Sequence, residues 1–280
     1  MRKKVVFGVV ALATVSLTFL VAVREPRLDR TWDEEVQYTA TAVFNEDGTA
    51  TVNNVRDFTY GDSTVISTDW VSRVTIHPDD IVKVWFVLEP FSKWEAVGHT
   101  FLTFELTDGS AFSFSVEARR EKGETYSALR GLFNEYELAY SWGTERDFVT
   151  RRLLYLKNSV RMYPLTINES QARGLFIGLL KKTNEIAKKP RFYNTLTANC
   201  TNILAQIVND IQPKTIPLDI SWYLPGYSDR FLMRIGLIQT DKTIENAREA
   251  YDVTKHRSAI LNIATAPHSQ FGKDLRALLP

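Results

Sequence analysis

The sequence predicts an α+β domain, an antiparallel sheet packed on helices, carried behind an N-terminal membrane span. Three observations lead there. An uncharged run at residues 5–23 follows Arg2, Lys3 and Lys4. Short stretches rich in Val, Ile, Phe and Trp, separated by turn residues, fill the next hundred or so positions. Apolar residues then recur at helical spacing between 168 and 211.

The apolar run at 5–23 opens the chain. At ~1.5 Å rise per residue it nearly matches a ~30 Å hydrocarbon core. The basic start predicts a cytoplasmic N-terminus. A cleaved signal peptide fits less well, because Val21-Ala22-Val23 lacks the small-residue pattern of a cleavage site. No cysteine lies nearby, so this is no lipoprotein signal. Residues 1–23 therefore read as a signal anchor and 24–37 as a polar linker. The exported domain spans 38–265, and a C-terminal tail over 266–280 is expected to pack on it.

Within the domain, weak alternation over 38–60 with a turn at Asn45-Glu46-Asp47-Gly48 predicts a hairpin. Residues 72–77 and 81–88 predict strands, and 99–106 with 110–119 a second hairpin around Thr107-Asp108-Gly109. A short helix over 126–134, a strand over 136–142 and a short strand over 160–163 follow. Residues 145–157 favour neither helix nor strand. Ala172, Leu175, Phe176, Leu179, Leu180, Thr183, Ile186 and Ala187 trace one face of a helix over 168–188, which Pro190 stops. Another helix begins near Cys200, with Ile203, Leu204, Ile207, Val208 and Ile211 on one face. Residues 241–263 read as helical again.

Composition narrows the function. The 280 residues are 44% hydrophobic and 24% charged, with 34 basic against 33 acidic residues. That is too apolar for a disordered segment and too evenly charged for a general nucleic-acid binder. The histidines show no metal-ligand spacing, and the lone cysteine excludes a multi-thiolate zinc site. No Walker loop, GxGxxG or GxSxG occurs, so neither a metal nor a cofactor is expected.

An exported chain with one cysteine has no disulfide partner within itself, which draws attention to Cys200. Asn199 is a good N-cap and puts Cys200 in the first helical turn. There the helix dipole favours the thiolate, and exposed N–H groups can hold an oxyanion. The same position, at the edge of the apolar stripe, also suits a buried core cysteine.

The histidine follows from strand register. Leu102 and Phe104 share one face; Phe112, Phe114 and Val116 share another, and both must meet one core. A three-residue loop with Gly109 left-handed satisfies this, pairing Phe104 with Phe112 and Leu102 with Phe114. His99 then faces Glu117, the placement needed to orient an imidazole; a solvated cross-strand pair is the alternative. Arg119 and Arg120 follow Glu117 and suit a phosphate or carboxylate, or simply a solvated strand end. Tyr193 and Asn194 lead into the cysteine loop and either line its pocket or form a turn.

Asn53-Asn54-Val55-Arg56-Asp57-Phe58, Ser115-Val116-Glu117-Ala118-Arg119-Arg120-Glu121, Tyr126-Ser127-Ala128-Leu129-Arg130-Gly131, Tyr136-Glu137-Leu138, Phe192-Tyr193-Asn194 and Asn199-Cys200-Thr201 together resemble the DUF4105 family, the Lnb N-terminal periplasmic domain. The resemblance spans roughly 50–265. Around the cysteine the family reads HNCTTN, whereas here Ala198 precedes Asn199 and a single Thr201 precedes Asn202. It implies a papain-like fold, similar to circularly permuted NlpC/P60 enzymes, held by the inner membrane in the periplasm. It implies catalysis by Cys200, His99 and Glu117; the residues themselves make Asn199, Tyr193, Asn194, Arg119 and Arg120 the expected substrate contacts. The reaction implied is acyl transfer from a phospholipid to a lipoprotein amine. A cell-wall peptidase or amidase using the same residues, and a non-catalytic envelope binding module, are the alternatives.

Overall fold

A computed structural model describes residues 24–280. The span expected over 5–23 lies outside the described residues; among them no helix is long and apolar enough to cross a membrane.

β1 (Thr41–Phe44) and β2 (Ala50–Gly61) form the first hairpin, and β3 (Thr64–Ile76) returns along β2. β4 (Ile81–Pro90), β5 (Gly98–Leu106) and β6 (Ala111–Arg119) form a meander. A short helix α1 (Ala128–Gly131) leads to β7 (Glu137–Thr144). Helix α2 (Glu145–Thr150) runs into a π-helical turn at Arg151–Tyr155 and then β8 (Arg161–Pro164). The long helix α3 (Glu169–Lys188) and α4 (Cys200–Ile211) follow. Four short helices close the chain: α5 (Ser228–Arg234), α6 (Ile244–Ala250), α7 (Arg257–Ile263) and α8 (His268–Arg276).

The strands join in the order β1-β2-β7-β6-β5-β4-β8, with β3 paired to β2. Neighbours are antiparallel except at β2–β7, which meet in parallel at Arg56 and Gly143. The β5–β6 register is the one that the loop requires: Phe104 opposes Phe112, Leu102 opposes Phe114, and Gly109 sits at φ +88°. Glycine adopts that angle without the Cβ clash other residues meet.

Both sheet faces are covered. Leu102, Phe104, Phe114 and Trp142 pack under α3 and α4. On the other face Trp85, Val87 and Phe101 meet Phe148, Leu153, Phe271 and Leu275, from α2, the π turn and α8. This explains why 145–157 showed no period: Glu145, Asp147, Thr150 and Arg152 are as buried as the apolar residues between them. The polar ones are paired. Arg56 holds Asp147 through two 2.8 Å hydrogen bonds and so clamps α2 against β2.

Residues 24–37, expected as a linker, lie against the domain. Trp32 is buried and bridges to Glu121, and Glu35 sits among Arg56, Arg120 and Arg151. Indole burial and a caged carboxylate outweigh the chain entropy that a polar composition suggested.

Candidate active site

Helix α4 begins at Cys200 because Asn199 caps it. The Asn199 carboxamide oxygen accepts from the Thr201 and Asn202 N–H groups at 2.9 Å, and Asn202 Oδ1 accepts from the Asn199 N–H at 2.9 Å. Asn199 Nδ2 donates to the Thr195 and Trp222 carbonyls, each at 2.9 Å. The cysteine is thereby fixed at the first helical position, 4% exposed. The cap consumes the Thr201 and Asn202 N–H groups, so the helix start cannot offer an oxyanion the several donors expected. Among the described residues, nothing accepts from the Cys200 N–H, which remains for that purpose.

β5 brings His99 to the thiol. His99 Nε2 lies 2.8 Å from Ser115 Oγ and 3.4 Å from Glu117 Oε1. The Ser115 hydroxyl donates to Glu117 Oε1 at 2.6 Å. Its single proton is thus committed to the carboxylate, so Nε2 must carry the hydrogen toward Ser115. Nδ1 is left as the base for Cys200. Behind Glu117 stands Arg152, 2% exposed, its guanidinium 3.5 Å from Glu117 Oε1, 2.7 Å from Glu89 Oε2 and 4.3 Å above the Phe101 ring.

The charges follow from this packing. Burial pushes the Glu117 carboxyl up, but His99 and Arg152 pull it down, with hydrogen bonds from His99 and Ser115, and the net is well below the usual range. Burial pulls the His99 imidazolium down, yet Glu117 and Cys200 opposite raise it on balance. Burial raises the Cys200 thiol, and His99 with the hydrogen bonds of His99 and Thr100 outweighs it, so the thiol is lowered. The arrangement favours a thiolate–imidazolium pair, the nucleophilic form of cysteine.

The remaining candidates divide. The buried Tyr193 lies near the thiolate, its hydroxyl 3.2 Å from Tyr126. Burial first, then the Cys200 charge, drive its ionisation far up, so it stays a neutral donor. Asn194 forms a turn: its side chain accepts from the Leu196 and Thr197 N–H groups and donates to the Leu132 carbonyl. Arg119 is a correction. It is buried over the Trp32 ring and spends its guanidinium on the Val36 and Gln37 carbonyls and Thr39 Oγ1. It holds the 24–37 segment in place. Arg120 likewise turns to Asp33 and Glu35.

Ser115, Arg152, Glu89 and Thr100 escaped the sequence reading. Ser115 shares the strand face of Glu117, two positions away, and alternation alone could have found it. Arg152 and Glu89 carry no such signal, since only the fold brings them together.

Beside the thiol lies an apolar cavity of about 410 Å³ between α3, α4 and the β4–β5 face. Thr100 and Thr201, whose hydroxyls meet at 3.0 Å, line it, and Thr201 Oγ1 lies 3.9 Å from Cys200 Sγ, which is itself outside the lining. Leu102, Leu175, Leu204, Ala205 and Val208 line its length. Part of the helical stripe that the periodicity assigned to the core thus faces a cavity.

A family described as the Lnb N-terminal periplasmic domain matches residues 67–225, more than half of the chain. The matched stretch contains His99, Ser115, Glu117, Arg152 and Cys200. No curated protein and no solved structure matches the chain.

Proposed function

This chain belongs to the Lnb N-terminal periplasmic domain family, and we propose that it is a cysteine acyltransferase that moves an acyl chain from a phospholipid to a lipoprotein amine. The family's name puts the domain in the periplasm. The papain-like likeness enters this reading through the arrangement of a capped helix-start thiol against a strand histidine.

The apolar cavity lined by Thr201, the residue after Cys200, carries the proposal. A muropeptide is polar and hydrogen-bonding, and such a lining would leave its amides unpaired. A hydrocarbon chain loses nothing there and gains about 0.8 kcal/mol per buried methylene. At roughly 30 Å³ for a water-sized group, the space holds about a dozen such groups, the scale of a fatty chain.

The chemistry follows from the site. The Cys200 thiolate attacks the ester carbonyl, and the Cys200 N–H holds the oxyanion. The tetrahedral species collapses, the carbon–oxygen bond breaks, and His99 protonates the departing lysophospholipid alkoxide. The acyl group is now a Cys200 thioester. A neutral amine then attacks, His99 takes its proton, and the thiolate leaves as the amide forms. Glu117, steadied by Ser115 and Arg152, stabilises the imidazolium in both steps.

Mass spectrometry of Cys200 after incubation with a diacyl phospholipid tests this. The expected result is an acyl adduct that an amine discharges to an amide. Cleavage of muropeptides with no adduct would replace this reading with a cell-wall peptidase; a Cys200 inert to lipid, muropeptide and thiol probe would leave a binding module.

A further inference from the structure

Large apolar side chains stand in solvent on four segments around the cysteine. Leu129 and Phe133 belong to α1 and its exit, Leu196 to the cysteine loop, Leu218 and Ile220 to the stretch after α4, and Trp94 to the β4–β5 loop. Trp94 is 77% exposed and Leu218 71%. Soluble surfaces do carry single exposed apolar residues, but a cluster around one site marks an interaction surface.

The segments are joined to one another. Thr195 Oγ1 donates to the Ala128 carbonyl at 2.7 Å, tying α1 to the cysteine loop. Asn199 Nδ2 bridges Thr195 to Trp222, tying that loop to the stretch holding Ile220. The Gly226 N–H donates to the Ala96 carbonyl at 3.1 Å, and a Cβ on Gly226 would strike the Glu95 carbonyl oxygen at 1.6 Å. Glycine is what lets the Trp94 loop close against this stretch. The rim therefore surrounds the capping residue of Cys200 and the Trp222 end of the cavity.

We propose that this rim is a docking surface for the phospholipid bilayer, seating the Cys200 opening at the lipid headgroups. Three features select a bilayer. The first is where the chain enters: Arg24, immediately after the apolar run 5–23, pairs with Glu135 at 3.1 Å, two residues from Phe133. A chain held by that run meets the domain beside the rim. The second is charge. Carboxylates on these segments are paired, Asp219 with Arg234 and Glu95 with Arg248, while Lys93 and Lys214 have no carboxylate partner among the described residues. The surplus is cationic and complements anionic lipid. The third is residue type: Trp among Leu, Ile and Phe matches the side chains that lodge at a membrane interface.

The proposal deepens the acyltransferase reading, but its test does not require acyl transfer. The full chain, with Cys200→Ser as a cysteine-free background, is reconstituted in phosphatidylcholine–phosphatidylglycerol vesicles. Leu129→Cys, Leu218→Cys and Val82→Cys are each spin-labelled. Val82, also exposed, sits at the far end of β4, where Ile81 opposes Leu106. Labels at 129 and 218 are expected to collide with membrane-dissolved oxygen and be shielded from an aqueous nickel chelate, with the label at 82 fully open to nickel. Equal nickel access at all three sites would overturn the docking surface. Immersed labels at 129 and 218 in a protein whose native Cys200 takes no acyl group would uphold the surface and reject the acyltransferase reading.

Discussion

Glu117 reaches His99 chiefly through a third side chain. The carboxylate oxygen stands 3.4 Å from Nε2, whereas the Ser115 hydroxyl lies 2.8 Å from Nε2 and 2.6 Å from the carboxylate. Ser115 thus fixes the histidine tautomer that leaves Nδ1 free for the thiol. Ser115→Ala removes one hydrogen bond to a charged group, worth about 1.5–3 kcal/mol. Turnover should fall roughly ten- to hundredfold with the fold unchanged. Glu117→Gln should fall further, since it also loses the charge. Steady-state rates with circular dichroism on both variants check this; wild-type rates in Ser115→Ala would mean that Glu117 orients His99 unaided.

The Cys200–His99 pair has a pH signature. The thiol is lowered and the imidazole raised. The alkylation rate of Cys200 should therefore reach its midpoint at a lower pH than the ordinary thiol range near ~8.5. In His99→Ala the burial that raises the thiol is opposed only by the Thr100 hydrogen bonds, so the alkylation curve should move to higher pH. Cys200→Ser and His99→Ala should each abolish turnover, and the double variant should be no worse. An unshifted alkylation curve in His99→Ala would remove the histidine from the site.

Much of this site could be read from residues because it is local. His99 and Glu117 sit on one hairpin, so turn type and face alternation decide their register. Asn199 and Cys200 are adjacent, so capping preference decides the helix start. Arg152 could not be read. Its segment is buried on all sides and has no period, and its partner Glu89 comes from a strand some sixty residues earlier. Arg119 misled for the opposite reason: a charged strand end looks solvated until a distant Trp32 covers it. The cavity was hidden because Leu204 and Val208 keep helical spacing whether they meet side chains or empty space.

Arg152 gives the third prediction. Its guanidinium lies between Glu89 and Glu117, and removing it takes the cation from the buried Glu89 and leaves Glu117 with His99 alone. Breaking a buried pair costs about 3–5 kcal/mol. Arg152→Met should lower the melting temperature by many degrees and raise the Glu117 pKa, with His99 and Ser115 still holding it down. Residual activity should then rise with pH where wild-type activity is flat. Asn158 Nδ2 also donates to Glu89 Oε1 at 2.6 Å; a variant with native stability and a flat profile would show that Asn158 for Glu89, and Ser115 with His99 for Glu117, suffice.

Glu35 sets acid stability. Burial pushes its carboxyl up, but Arg151, Arg56 and Arg120 hold it at about 2. The unfolded chain would titrate at the ordinary value, 4.5. The folded pKa is the lower one, so this stabilisation is complete above pH 4.5 and disappears as pH falls toward 2. The difference amounts to roughly 3 kcal/mol. Glu35→Gln should be less stable at pH 7 and lose less on acidification. Thermal unfolding of both proteins at pH 7, 4 and 3 measures it; parallel losses would assign the acid sensitivity to other carboxylates.

The cavity makes the most discriminating prediction. Ala205 lines it and is nearly buried, on the α4 face that includes Leu204 and Val208. Ala205→Phe projects a ring into the open space of about 410 Å³, where added volume need not strain a packed core. The fold should survive with a melting temperature close to wild type. Long acyl chains should no longer load Cys200, while a short-chain acyl thioester should load it at the wild-type rate, because Thr100, Thr201 and the cysteine are untouched. Leu204→Ala enlarges the same space and should shift preference toward longer or bulkier chains, at a stability cost of about 2–5 kcal/mol. Acyl-adduct masses on Cys200 across a chain-length series read both effects. A chain-length profile identical in wild type, Ala205→Phe and Leu204→Ala would exclude the cavity as the acyl site and remove the observation on which the acyltransferase reading rests.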